Sequence, residues 1–453
     1  MNSSLTKKIG KRILSEANDL KRTISALSVD IEIDEDHLQK VIDGNCSLED
    51  SYEILRKMGA VYPIDISELY IQDSDRTNSV KIMTALESLK SSRVYDRINI
   101  NGKKTPYYEY RDTAMSNIGP YKPEWIKELR VVSDSDPENP DVVYNNGHFL
   151  HQTTFFVGPV NFYWEVNGKK FCREMNTGDS NYITPFWPHS FTSRDSSKEA
   201  YILAVTFGGE VRRAQKELYA LGEKSNKYYL DYRNKNKATK KLIEQLLIDE
   251  NLTLKNLNDL AARKGIKDFD IEKLLQSPSK ISFSDLKIIS NLLNVNPEDL
   301  IVPNYQPEDE VVVKHSIDRE KYFFPNRNDA SYRIDTLART AKMPLMKSFN
   351  IDVLLNSSEK YFDSSLHTYA YNYGAEDLDV FWFSGGKRFS KKLKKDDSIY
   401  IEPFTKHGFT CKSNNGQLYL VRVSGAMNLL TQKELSYFSS IERTFKETKT
   451  WFD

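Results

Sequence analysis

The 453-residue sequence predicts a mainly β, α+β fold in which one unit, a helical domain followed by a barrel of short strands, occurs twice. Three observations predict it. The run GDSNYITPFWPHSF, Gly178 to Phe191, returns as DDSIYIEPFTKHGF, Asp396 to Phe409. Ahead of each, an alternating aromatic run meets a glycine turn: NFYWEVNGKKF from Asn161 to Phe171, and DVFWFSGGKRF from Asp379 to Phe389. Further upstream a helical pattern repeats, LEDSYEILRKMGAVYPIDISELY (Leu48 to Tyr70) matching FSDLKIISNLLNVNPEDLIVPN (Phe283 to Asn304). Such self-similarity marks a duplicated unit of about 210 to 230 residues.

The helical segments carry apolar residues at helical spacing, with Asp or Pro-Glu-Asp opening the last turn. DEDHLQKVIDGNC and DFDIEKLLQSPSK precede them as a second matched helix, so each unit reads as helix-turn-helix-like. The aromatic runs with their glycine turns are hairpin signals. Downstream, AYILAVTFGG (Ala200 to Gly209) parallels LYLVRVSGAM (Leu418 to Met427), giving many short strands within about 100 residues, the pattern of a sandwich or small barrel. Val211 to Glu250 reads as a charged helical connector. The expected domains are therefore 1–75 (helical), 76–210 (catalytic barrel), 211–305 (connector and second helical unit), 306–430 (second barrel) and 431–453 (C-terminal segment).

Net charge is zero and the 28 % of charged residues are spread along the chain, so no global field recruits nucleic acid or an anionic membrane. Three dispersed cysteines without a CxxC argue against a disulfide framework and a thiolate zinc site, and fit a reducing cytoplasm. No stretch approaches the roughly 18 apolar residues of a membrane helix, and MNSSLTKKIGKRILSEANDL lacks the apolar run of a signal peptide. The expectation is a soluble, cytoplasmic protein.

The chemistry concentrates in NNGHFLHQTTFFVG, Asn145 to Gly158. Its β-branched and aromatic tail reads as a strand running into a turn at Gly158-Pro159. Strand alternation puts His148 and Gln152 on one face and His151 on the other, facing outward. In GDSNYITPFWPH, glycine and Asp turn the chain, Pro185 ends a strand, and His189 is delivered toward the barrel interior. Together these segments resemble the cupin (double-stranded β-helix) pattern, in which two motifs lend ligands to one metal. Imidazoles plus an oxygen ligand with open positions suit non-haem Fe(II) that uses O2. A third ligand is needed: the face of His148 offers the amide of Gln152, while the second motif offers only Ile183 and Thr184 before Pro185. The candidate set is His148, Gln152 and His189, against the alternative that an inward glutamine satisfies a backbone group. The second copy keeps His367 and His407 and has Glu402 in place of Thr184, but lacks a counterpart of NNGH. It reads as a structural, metal-free barrel in which His407 is free to face solvent.

NNGH, Gly158-Pro159, GDS (Gly178 to Ser180) and PHS (Pro188 to Ser190) together resemble the tandem-cupin phosphonate oxygenases, over nearly the whole chain. The family's dioxygenase branch has a glutamate shortly before the second-motif histidine, where this chain has Ile183 or Thr184. Another branch is similar to this chain in taking a glutamine from the first motif, the place of Gln152. The resemblance implies an Fe(II) enzyme that takes 2-hydroxyethylphosphonate and O2, cleaves the C–C bond without an external reductant and releases methylphosphonate and bicarbonate. The dioxygenase branch would instead give hydroxymethylphosphonate and formate. The resemblance further matches Asn145 and Tyr110 to phosphonate donors, and Lys21 to a lysine that a neighbouring subunit donates, which implies a homo-oligomer. Near GKKTP the family has an arginine on the phosphonate; this chain offers Lys103 or Lys104 there, and Lys103 is the candidate.

A barrel joined to a helix-turn-helix is also the layout of ligand-responsive transcription regulators. Residues 1–72 carry nine Lys plus Arg against thirteen Asp plus Glu, a net of −4, whereas a DNA-recognition surface is basic. The expectation is no nucleic acid and no membrane partner.

Overall fold

The computed structural model describes residues 2–71, 74–278, 281–303, 310–355 and 360–452; Asn304 and residues 279–280, the ends of two repeated segments, lie outside them. Among the described residues the fold mixes helix and sheet in nearly equal measure, with the strands gathered into two large and two small sheets.

Each half opens with helices around a small apolar core. In the first, Asn2–Asp19, Ile24–Asp30, Glu35–Ile42 and Leu48–Val61 enclose Ile13, Leu27, Leu38 and Met58. In the second, Lys235–Asp249, Leu254–Arg263, Ile271–Gln276 and Phe283–Leu293 enclose Ile243, Leu257 and Ile289. The same side chains start matching helices: Thr23 and Thr253, Asp34 and Asp270, Ser47 and Ser282 each accept a backbone N–H. The stretch from Val211 to Glu250 is not one connector. It breaks into Glu210–Arg213, Gln215–Leu221 and a 3-10 turn from Gly222, whose φ of 56° ends the preceding helix. Lys235–Asp249 buries Ile243 and Leu247 with the second helical core and belongs to it.

The strands form two seven-stranded and two three-stranded antiparallel sheets. The first large sheet runs Val311–Lys314, Ser180–Ile183, His151–Val157, Tyr201–Phe207, Tyr121–Glu128, Lys104–Asp112 and Arg93–Ile98. Alternation along His151–Val157 splits its side chains between two layers. Phe155 joins a cluster shared with Tyr369, Tyr400, Tyr419 and Val421 of the second large sheet, so the two large sheets pack face to face. Phe156 joins the opposite cluster, against Phe162, Trp164 and Phe191 of the small sheet Lys169–Met175, Val160–Val166 and His189–Ser193. The second half repeats this layering with Leu378–Ser384 at the centre of its small sheet.

The halves finish each other's sheets. Val80–Met83, which precedes the first barrel in sequence, pairs with Ser398–Ile401 at the edge of the second large sheet. Reciprocally, Val311–Lys314 pairs with Ser180–Ile183 at the edge of the first. The repeated acid and serine of GDS and DDS fasten the exchange. Asp179 accepts from Ser316 N (2.7 Å) and from Asn176 N (2.8 Å) in its own turn, and Asp397 accepts from Ala85 N (2.7 Å). Ser180 Oγ accepts from Ala338 N and Ser398 Oγ from Ala114 N. The expected boundaries at 76 and 306 thus divide the chain but not the sheets.

Asp179 is 3 % exposed, so Asp179→Ala takes the acceptor from two part-buried N–H groups, at about 1–3 kcal/mol each. A loss of roughly 2–4 kcal/mol is expected, read as a lower urea midpoint.

Candidate metal centre

The strand that sequence alternation extends over His148 begins at His151. The reason lies at Gly147, whose φ is 71° and whose α-carbon passes so close to the second-motif loop that a Cβ would sit 2.4 Å from the Phe186 carbonyl carbon. Phe186 N donates to His148 O (2.9 Å), so the two motifs are joined backbone to backbone at this crossing. His148 reaches Gln152 from a loop rather than along a strand face. The outcome is nonetheless a contact: His148 Nε2 stands 3.2 Å from Gln152 Oε1.

His189 opens its strand and is 4 % exposed, and its ring lies 5.2 Å from that of His148, nearly perpendicular. Each imidazole is held by its other nitrogen: His148 Nδ1–H donates to Leu150 O (2.8 Å) and His189 Nδ1–H to Trp187 O (2.9 Å), which leaves both Nε2 lone pairs facing the cavity. Burial pushes the His189 imidazolium down to about 4, with the charge of His148 adding to the effect, so the ring is neutral at pH 7. Two donors each about 2.1 Å from one ion at a right angle stand about 3 Å apart, close to the His148–Gln152 separation. No three His, Cys, Asp or Glu side chains gather into a metal set among the described residues; this centre pairs two imidazoles with an amide. Ile183 lies directly across the strand pair from Gln152, an apolar group rather than a carboxylate. Thr184 is engaged elsewhere, donating to Glu310 O and accepting from Trp187 Nε1.

These residues edge a cavity of about 120 Å³ whose wall includes Tyr108, Tyr110, Asn145 and Arg97. Asn145 is more than a turn former. Its Oδ1 accepts from Gly147 N and His189 N (both 2.9 Å), and its Nδ2 rests 3.0 Å from His189 Nε2. Tyr110 packs edge-on against Tyr95 and Tyr108, and burial raises its hydroxyl pKa.

Lys103 does not join them. It lies exposed in the turn after Arg93–Ile98, where its carbonyl accepts from Asn99 N. Among the described residues the cavity's charged lining is Arg97, one strand earlier, and Glu124. Period-2 alternation along RVYDRI groups Arg93, Tyr95 and Arg97, with Arg93 opposite Tyr110 and Tyr95 opposite Tyr108, and was the available signal; the register shift after Tyr95, which sets Arg97 opposite Thr105, was not legible. Lys21 is exposed at the end of Asn2–Asp19 with φ 58°, away from the cavity lining of its own chain. His151 does not face outward. The second large sheet covers that face, and His151 Nδ1 meets Tyr182 Oη at 2.8 Å while its ring stacks on Phe207.

The second half explains itself by substitution. His367 is the counterpart of His151, not of His148: it meets Tyr400 Oη at 2.7 Å as His151 meets Tyr182. Phe404 N donates to Ser364 O as Phe186 N does to His148 O, so Ser364 holds the place of His148. Thr368, paired with Arg422, holds that of Gln152, paired with Thr206. Phe362 exchanges two backbone bonds with His407 where Asn145 donates its N–H to His189 O and accepts the return bond on its side chain, and the Arg422 guanidinium lies 5.2 Å over the Phe362 ring. A phenyl and a guanidinium thus stand where the first half has an asparagine and a threonine on its cavity wall. His407 is 1 % exposed, buried against Phe362 rather than facing solvent, and burial pushes it down to about 4.

No family model matches the chain. It is 38 % identical over 455 residues to the methylphosphonate synthase of Nitrosopumilus maritimus (strain SCM1), covering 98 % of this chain and 95 % of that one. Among solved structures it is similar to Streptomyces albus HEPD with substrate 2-hydroxyethylphosphonate and Fe(II) bound, at TM-score 0.86 and 29 % identity over 98 % of both chains. Native PhpD with cadmium atoms shares the fold at TM-score 0.70 and 18 % identity over 97 % of this chain and 99 % of that one.

Anaerobic loading with Fe(II) is expected to give one ion per chain by elemental analysis, abolished in His189→Ala and unchanged in His407→Gln.

Proposed function

The chain belongs to the methylphosphonate synthase family, and from that premise we propose that it is an Fe(II)-dependent oxygenase of 2-hydroxyethylphosphonate. Its reaction converts 2-hydroxyethylphosphonate and O2 to methylphosphonate, bicarbonate and a proton, with every atom of both reactants accounted for. The observation that carries the reading is the convergence of two imidazole nitrogens and one amide oxygen on a small cavity whose wall, among the described residues, also bears Arg97 beside Glu124.

His148 Nε2, Gln152 Oε1 and His189 Nε2 would hold the iron, which when bound supplies O2 activation and Lewis-acid attachment of the substrate. All three ligands are neutral, so the ion keeps its full +2 charge, and a dianionic chelating phosphonate supplies the compensation. The Arg97 guanidinium faces the phosphonate oxygens as a forked donor. The Tyr110 hydroxyl adds a second donor. Asn145 Nδ2 now rests on His189 Nε2; once that lone pair is committed, the amide hydrogen is free for the anion. Lys21, exposed in its own chain, fits donation into a partner's cavity within a homo-oligomer. Each pair of one large and one small sheet is read as a cupin barrel and each helical core as helix-turn-helix-like, with domains at 1–75, 76–210, 211–305, 306–430 and 431–453. Three free cysteines among the described residues, and no helix there long and apolar enough to cross a membrane, support a cytoplasmic setting.

A second reading, oxidation to hydroxymethylphosphonate and formate, is favoured by the likeness to the Streptomyces albus dioxygenase. Phosphorus NMR of iron-loaded protein mixed with 2-hydroxyethylphosphonate and O2 separates them. A single methylphosphonate resonance is expected; hydroxymethylphosphonate as the main product would establish the second reading.

Arg97→Met and Lys21→Met are each expected to lower kcat/KM at least tenfold, the loss of a charged hydrogen bond. Mixing the two variants after reversible subunit dissociation should restore part of the activity if the lysine crosses between chains, and none if it does not.

A further inference from the structure

We propose that Thr154 orients the Gln152 carboxamide, so that its oxygen and not its nitrogen faces the metal position. The inference rests on the metal-centre reading above and deepens it. A carboxylate ligand offers oxygen at either end, whereas a carboxamide has one acceptor end and one donor end of nearly equal size. An amide ligand therefore needs a neighbour that makes one orientation better than the other.

Thr154 is placed to do this. It lies two residues along the strand from Gln152 and on the same face, and the two are 0 % and 4 % exposed. Gln152 Nε2 donates to Thr154 Oγ1 at 3.0 Å, which leaves Oε1 at 3.2 Å from His148 Nε2. With oxygen committed to a cation, the NH2 group must find an acceptor inside a dry layer, and an unmade bond there is costly. The threonine lone pair supplies it. Asn181 is the direct cross-strand neighbour of Thr154 and keeps a buried carboxamide without a hydrogen-bond partner among the described residues, so a turn of its side chain would give the hydroxyl's own proton an acceptor.

The second half is a natural control. In the corresponding register, Thr368 replaces Gln152, Ala370 replaces Thr154 and Ile399 replaces Asn181. The amide, its acceptor and the acceptor's neighbour are lost together, as expected if the last two serve the first.

The test is a titration with Co(II), read by its affinity and its visible ligand-field spectrum. Thr154→Val keeps the side-chain shape and removes the acceptor; it is expected to weaken Co(II) binding about tenfold and to shift the spectrum. Thr154→Ser should stay within about twofold of the parent. In a Gln152→Glu background, where both ends are oxygen, Thr154→Val should change affinity by less than about twofold. Parental affinity in Thr154→Val, or an equal loss in both backgrounds, overturns the proposal. Co(II) binding that survives His189→Ala sinks the metal-centre reading itself; binding lost in His189→Ala but indifferent to Thr154 sinks only the orientation.

Discussion

The constraint on which the molecule depends is the exchange of edge strands between its halves. Ser180–Ile183 is held between His151–Val157 on one side and Val311–Lys314 on the other, and only the first of these belongs to its own half. That short strand leads directly into the loop that crosses Gly147 and delivers His189. Its start is fixed by Asp179 and Ser180, whose side chains accept backbone N–H groups from the second half. A shift of the strand by one residue would turn Ile183 away from Gln152 and move everything downstream. The position of His189 in the first half is thus set partly by residues more than a hundred positions away.

The second half repays comparison because the same backbone carries different side chains. Its loop crosses in the same place, Phe404 against Ser364, and its histidine His407 is tethered by the same Nδ1 bond, to Thr405 O. What differs is the inward set. Phe362 and Arg422 stand in place of Asn145 and Thr206, and Ser364 in place of His148. The scaffold does not by itself make the centre; a handful of substitutions in unchanged positions does.

Much of this was legible in the sequence, and the failures are physical. The repeated motifs and the nearness of His148, Gln152 and His189 are legible from two motifs, a face argument and the family resemblance. Alternation within His151–Val157 puts Gln152 inside, but it does not carry back to His148, because Gly147 at positive φ bends the chain just before the strand. His151 was read as outward because nothing local shows that a second sheet covers that face. Arg97 was missed for Lys103, although alternation along RVYDRI was there to be followed; a turn lysine nearer in sequence is not nearer in space. The crossing strands were invisible because each is four residues long and its partner is chosen by the whole assembly.

The reciprocal completion of the sheets also bears on how such a chain can change over time. Removal of the second half would leave Ser180–Ile183 as a bare sheet edge and uncover a layer of tyrosines. With each copy lending the other a strand, neither can be deleted without stripping an edge from its partner, whatever side chains its interior carries.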